Sequence, residues 1–369
     1  MKKVLQAALF VTLFSVCVAG CTSGGGKRRR SSGGGSSTSG TSATGTQEPG
    51  PAPDPSQHWE NYTKWYMNKT DCYGQHVDDY HLETLTGRDL QVAIHHYLID
   101  QHKKYYAYSA VNSLWVYSDM AKGTDKYEYF YTGWLHKDNS ATREHMWCCA
   151  NSNGMWYRSS KEAEWKMDDK TGEAQAYWGG GSDIYQLRPT SYEVNNKRQN
   201  YKYYVYKNGE SYESITDTEN GTDAPYSLKY NSTNRTCEVA DYFKGDVART
   251  LMYIYMHYNS FGDGHDVYYD EDHKPTYDID LAVAEVTNAH TPYVCAPAKN
   301  GTPWLQFNLI MNYSENECIK LLKQWNEMDP PSDLEKQRNN YCSNSQLQGN
   351  RNPFIDYPQL VDRCFPDIN

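Results

Sequence analysis

Arg143-Glu-His-Met-Trp147 and Asp183-Ile-Tyr-Gln-Leu-Arg-Pro-Thr-Ser-Tyr-Glu-Val-Asn-Asn-Lys-Arg198 are the two stretches on which the reading of this sequence turns. The first follows a polar loop and enters a short apolar run, so an acid and an imidazole sit at the mouth of a strand. Neighbouring strand residues face opposite ways, so Glu144 and His145 reach one site only at a strand end or a bulge. The second reads as a strand stopped by Pro189, then a short helix capped by Thr190 or Ser191 with Glu193 in its first turn. Asn195 and Arg198 are three apart and share a face of that helix. Arg188, Lys197, Arg198, Lys202 and Lys207 against Glu193 alone make a local basic patch.

Outward from these stretches the pattern is mixed. Arg88 to Lys103 places Leu90, Ile94, Tyr97, Leu98 and Gln101 on one side of a helix, and His95-His96 on it are expected at the surface or rim. Lys126 to Gly133 alternates as a strand. Val247, Leu251, Tyr255 and Tyr258 stripe a helix over 246–258. Cys318, Leu321, Leu322, Trp325 and Met328 stripe another, stopped by Pro330-Pro331, and Ser332-x-x-Glu335 forms a capping box for the next. The fold class expected is α+β, with helices and short strands mixed and no internal repeat.

Of 369 residues, the first 57 stand apart by composition. Lys2-Lys3, an apolar run from Val4 to Val18 and Val18-Ala-Gly-Cys21 form the pattern of a bacterial lipoprotein signal over 1–20, with Cys21 lipidated. Residues 21–57 are a Gly/Ser/Pro tether with Lys27-Arg-Arg-Arg30 near the anchor, and 58–369 form one folded domain. The chain is therefore expected to be exported and lipid-anchored in the envelope, otherwise periplasmic or secreted. Overall charge is −10, but residues 1–57 carry +4 and the domain −14, which excludes a broadly basic nucleic-acid coat. Ten cysteines less Cys17 and Cys21 leave eight. None forms a C-x-x-C pair, which argues against a zinc site, and export predicts at least two disulfides. Asp263, Asp266, Asp270, Glu271 and Asp272 lack EF-hand spacing and read as solvated acid.

Strand with Glu-His, loop, strand, helix with Asn is the order of a ββα-metal (His-Me) finger, and the chain resembles the bacterial endonuclease I family. Arg143-Glu-His-Met-Trp147 is similar to its R-E-H-aromatic stretch, and Leu187-Arg-Pro-Thr-Ser-x-x-Val-Asn-x-x-Arg198 to its L-x-P…V-N-x-x-R segment. Lys244-Gly-Asp-Val-Ala-Arg249, Asp329-Pro330, Glu335, Arg338-Asn339 and Gln348-Gly-Asn-Arg-Asn-Pro-Phe-Ile-Asp356 continue the likeness in order, from about Leu90 to Phe365. The resemblance implies a metal-dependent, sequence-nonspecific endonuclease that hydrolyses DNA, with RNA as a second substrate, and leaves 5′-phosphate ends.

The roles it implies fall on matched positions. His145 is the general base, while Glu144 and Asn195 hold one divalent cation, Mg²⁺ first and Mn²⁺ or Ca²⁺ as alternatives. Arg198 and Arg143 neutralise phosphate charge at the reacting centre, and Arg188, Lys197 and Lys202 contact backbone phosphates without reading bases. The run from Gln348 to Asp356, with Asn350, Arg351 and Asp356, pins the structure. No protein partner is implied. Two positions depart from the pattern: Tyr185-Gln186 where the family usually has His before L-x-P, and Cys148 where it has Pro. The competing expectations are a non-catalytic surface lipoprotein that keeps the scaffold as a binding module, and a purely structural envelope protein.

Overall fold

The computed structural model describes residues 82, 84–102, 104–106, 111–112, 114–137, 140–148, 151, 156–157, 178–259, 261, 283–285, 305–344 and 347–368. The chain divides after Gly50. The signal, Cys21, the tether, the acidic loop at 263–272 and Cys72, Cys149 and Cys295 lie outside the described residues.

Eight helices occur among the described residues: α1 (Gly87–Gln101), α2 (Trp115–Ser118), α3 (Tyr192–Arg198), α4 (Lys244–Tyr258), α5 (Glu315–Met328), α6 (Asp333–Cys342), α7 (Pro353–Asp356) and α8 (Leu360–Cys364). Among the short strands, β1 (Tyr127–Tyr129) pairs with β2 (Trp134–His136), and β3 (Thr142–His145) with β4 (Leu187–Thr190), both antiparallel. A four-stranded sheet joins β5 (Lys202–Tyr203), β6 (Glu213–Ile215), β7 (Leu228–Asn231) and β8 (Thr236–Glu238) in the order β5-β8-β7-β6, with only β5 parallel to its neighbour. The class is α+β.

The helix ends follow local chemistry. Ser332 and Glu335 form the capping box of α6, and Ser314 with Glu317 forms a second at α5. Ser191, not Thr190, caps α3 by accepting from the Val194 amide at 3.2 Å. The strand expected over 126–133 stops after three residues. Tyr131 has φ 81° and Gly133 φ 69°, so the alternating run turns back as a hairpin instead of continuing. A side chain at Gly133 would also start 2.9 Å from the Tyr226 ring.

Helix α4 is the axis of the unit, with all fifteen of its residues buried and α1, α5 and α7 packed around it. Its apolar residues are therefore not confined to the one expected stripe. Leu90, Ile94, Tyr97 and Leu98 of α1 are buried as expected, but so is His95, whose Nδ1 lies 2.8 Å from the Met256 carbonyl of α4. That corrects its expected place at the rim; His96 beside it is half-buried. Met328, expected in the α5 stripe, is 50% exposed because it falls on the last, solvent-facing turn.

Polar groups inside this core are paired in ions. Arg249 of α4 grips both oxygens of Glu335 at 2.8 and 2.6 Å. Arg188 bridges Asp119 at 3.3 Å and Asp246 at 3.1 Å, and Arg338 closes on the same Asp119. At the edge of this cluster, burial pushes the Asp329 carboxyl up to about 6, against the Gly245 amide and Arg249, which pull it down. A raised carboxyl keeps its proton in the folded state when the unfolded chain has released it. Its contribution is thus fully present below pH ~4 and lost as pH rises through about 6. Asp329→Asn should match the wild type at pH 4 and exceed it at pH 7. A gain of ~1 kcal/mol is expected, discounted for the group's partial exposure and read by urea denaturation at the two pH values.

The five described cysteines, Cys148, Cys237, Cys318, Cys342 and Cys364, are buried free thiols. Burial pushes Cys237, Cys318 and Cys342 up to about 12, so they behave as small apolar side chains. The expected bridges are thus not found among the described cysteines, because each packs into the core without reaching another.

Candidate active site

Strands β3 and β4 place Glu144 opposite Arg188 and His145 opposite Leu187, and α3 follows β4 directly. This is the two-strand, one-helix finger expected from the order of motifs. It ends where Gln199 takes φ 47°. His145 is the last residue of β3, and Glu144, one residue earlier, is buried against Arg198 and Tyr131.

Its ring is fixed. Nε2 lies 2.8 Å from the Gly181 carbonyl oxygen. A carbonyl only accepts, so Nε2 carries the hydrogen and Nδ1 the lone pair of the neutral imidazole. Burial holds the pKa down to about 3, with Arg143 and Arg198 adding and the Gly181 bond opposing. That direction favours the neutral ring, the form a general base needs.

Glu144 is buried. Its Oε1 accepts from the Tyr131 hydroxyl at 2.6 Å and meets Arg198 Nε at 3.0 Å. Burial raises this carboxyl to about 7 although Arg198 and Tyr131 favour its charge. Asn195 turns Nδ2 toward Thr142 Oγ1 at 3.1 Å and the Arg143 carbonyl at 3.2 Å, so its amide oxygen faces away from β3. A carboxylate and an amide oxygen on one finger are hard donors, types that suit Mg²⁺, Mn²⁺ or Ca²⁺ and not a thiophilic ion.

Not every expected residue is where its role requires. Arg198 is fully buried, with N–H groups on Glu144, the Tyr131 hydroxyl at 3.1 Å and the Gln199 and Met146 carbonyls at 2.7 and 3.2 Å. Fully enclosed, the guanidinium has no open path to a phosphate, which corrects the expected phosphate contact. Arg188 is 3% exposed and committed to Asp119 and Asp246, so its expected phosphate contact is corrected too. The reason is common to both: each points into the core from a strand or helix that is buried on that side. Arg143 is half-buried and donates to Asn112 Oδ1 at 3.0 Å. Lys197 is exposed, 5.4 Å from the Tyr230 ring, and Lys202 is half-buried with Nζ on the Asn308 carbonyl at 2.6 Å.

The structure adds residues that the sequence reading missed. Tyr131 and Tyr203, whose hydroxyls are 3.2 Å apart, floor the Glu144–Arg198 pair, and nothing distinguished them among 34 tyrosines. Gly181 did leave a signal, the run Gly179-Gly-Gly181, of the kind that lets a main chain approach another group closely. The departures from the family pattern are both accommodated inside. Tyr185 donates to Asn339 Oδ1 at 2.5 Å, Gln186 bonds main chain at both ends of its amide, and Cys148 packs as a buried thiol.

The C-terminal run is structural. Gln348 holds the Ile184 amide at 2.8 Å, Arg351 grips both oxygens of Asp356 at 2.8 Å, and Asn352 caps α7. His102, Asp183 and His257 form a second group, fully buried, whose ligand atoms lie within 4.8 Å of one another, close enough to hold a metal ion. Asp183 is however already satisfied by the Tyr185 amide at 2.8 Å, the Tyr253 and Tyr258 hydroxyls at 2.7 and 2.6 Å, and Gln348 at 3.1 Å. A cation there would have to displace these donors.

A family model described as Endonuclease I matches residues 86–281 and 307–359. Among curated proteins, the extracellular ribonuclease of Bacillus amyloliquefaciens is 29% identical over 188 residues, 51% of this chain and 47% of the relative. That of Bacillus subtilis (strain 168) is 29% identical over 189 residues, 51% and 48%. The chain thus spans about half the length of the curated relatives it matches. The finger geometry and a match over most of the described residues agree: the chain belongs to the endonuclease I family.

Proposed function

We propose that this chain is an exported, divalent-metal-dependent endonuclease that hydrolyses phosphodiester bonds of DNA and RNA without sequence preference. What supports the reading is the His145 imidazole at a strand end, its tautomer fixed by Gly181, on the same two-strand, one-helix finger that carries Glu144 and Asn195. His145 Nδ1 takes the proton of the attacking water as its oxygen bonds to phosphorus, and the bond to the 3′ oxygen breaks. That leaves a 5′-phosphate and, once the departing oxygen has taken a proton from solvent water, a 3′-hydroxyl. A cation held by Glu144 and Asn195 would polarise the scissile phosphate and stabilise the departing oxygen. Arg198 holds Glu144 in place, and Arg143, Lys197 and Lys202 offer charge to the phosphate backbone, which suits cleavage blind to sequence.

The names of the two Bacillus relatives, extracellular ribonuclease, support RNA beside DNA and support export. Anchorage through lipidated Cys21 belongs to the same proposal. Among the described residues no helix is long and apolar enough to cross a membrane.

Incubating the full chain with supercoiled plasmid and with RNA, in Mg²⁺ and in EDTA, tests the reading. Chelation should remove activity by about a thousandfold or more, in line with the loss of electrostatic stabilisation at the reacting phosphate. The products should accept a 5′ label only after phosphatase treatment. Chelator-resistant cleavage, or 3′-phosphate ends, would exclude it.

A further inference from the structure

Gln186 has a place that no resemblance explains. It is fully buried in the turn leading into β4, and its side-chain amide bonds main-chain groups of two segments, the one just past His145 and the Gly180–Gly181 turn. Oε1 accepts from the Trp147 amide, two residues past His145, at 3.2 Å. Nε2 donates to the Gly180 carbonyl at 2.5 Å, one residue before the carbonyl that His145 Nε2 meets. Its own carbonyl accepts from the Met146 amide at 3.1 Å. We infer that Gln186 is the positioning residue of the general base: it clamps the Gly180–Gly181 turn to the strand that carries His145, and so sets the tautomer and aim of the ring.

The chemistry of the position allows few substitutes. One end must accept and the other donate, which a primary amide does and a carboxylate or thioether does not. Asparagine has the right groups but is one methylene short of spanning both. The turn is anchored on either side, by the strand pairing of Gly179 with Trp156 and by the contacts of Asp183. Gly180 and Gly181 bring no side chains of their own, so the Gln186 amide bond to the Gly180 carbonyl is what ties this point of the turn to the strand of His145. If the turn drifts by about 1 Å, the Gly181 carbonyl no longer selects Nε2–H, and misplacement on that scale costs a catalytic group on the order of 100-fold.

The inference rests on His145 being the base, so two readouts are needed. In single-turnover plasmid cleavage, Gln186→Glu and Gln186→Met should lose 30- to 100-fold in rate at saturating enzyme, with DNA affinity changed less than about threefold. Separately, imidazole ¹⁵N shifts of the wild type should show His145 as the Nε2–H tautomer, with the Gln186 side-chain amide protons protected from exchange, and both variants should show a mixture. Variants that fold and cleave within threefold of wild type overturn the clamp. So does a wild-type spectrum with His145 as Nδ1–H or with a freely exchanging Gln186 amide, a reading that stands even where the variants fail to fold. An inert wild type with the expected spectrum would sink the nuclease reading while supporting the clamp.

Discussion

His145→Ala should cleave DNA about a thousandfold more slowly than wild type while keeping its fold and its affinity for DNA. A positioned general base contributes roughly 10²–10⁴ in rate, and the upper part of that range applies because the ring is pre-set. Nε2 is tied to Gly181 and burial favours the neutral ring, so the imidazole is already aimed for proton transfer. The fold should survive because the ring is half-buried at a strand end, outside the helical core. Thermal melts together with initial rates separate the two effects. A rate within tenfold of wild type would remove His145 from the chemistry and favour the binding-module reading of the scaffold.

The second large effect concerns stability. Gly245→Ala should cost about 3 kcal/mol or more and lower the melting temperature by roughly 10 °C. A Cβ built on Gly245 meets the Asp329 carbonyl oxygen at 1.9 Å and the Arg249 guanidinium nitrogens at 2.7 and 2.8 Å. The oxygen is main chain at the end of α5 and has nowhere to move. Displacing it would also loosen the Gly245 amide's bond to Asp329 Oδ2 at 2.8 Å and the Arg249–Glu335 pair behind it. Calorimetry on the purified variant checks this; a melting temperature within 2 °C of wild type would mean that α4 and α5 can slide apart at no cost.

How much of this was legible beforehand depended on range. Features fixed by a few neighbouring residues were readable: the Ser332–Glu335 box, the start of α3, the helical spans around 88–103 and 318–328. So was the finger, because its residue types sit in a chain order that spacing preserves. What failed depended on contacts far along the chain. Arg188 looks like a phosphate ligand when only its basic neighbours are counted, and its partners Asp119 and Asp246 lie 69 and 58 residues away. Arg198 and His95 were misplaced for the same reason. A charged or polar side chain reads as exposed until its buried partner is known. Tyr131 escaped because a positive φ at a tyrosine leaves no trace in an alternating run.

The buried ions around Arg188, Asp119, Arg338, Asp246, Arg249 and Glu335 set how this protein meets brine. Mobile ions shield charges that solvent can reach and scarcely touch those walled off by protein. Of the lysines that would grip a nucleic acid, Lys197 is exposed and Lys202 half-buried, so solvent reaches that contact, and each neutralised phosphate makes binding fall steeply with salinity. Rising salt therefore loosens the hold on substrate long before it loosens the scaffold. On the proposed reading, an exported nuclease would be silenced in concentrated medium and ready again on dilution, without having unfolded.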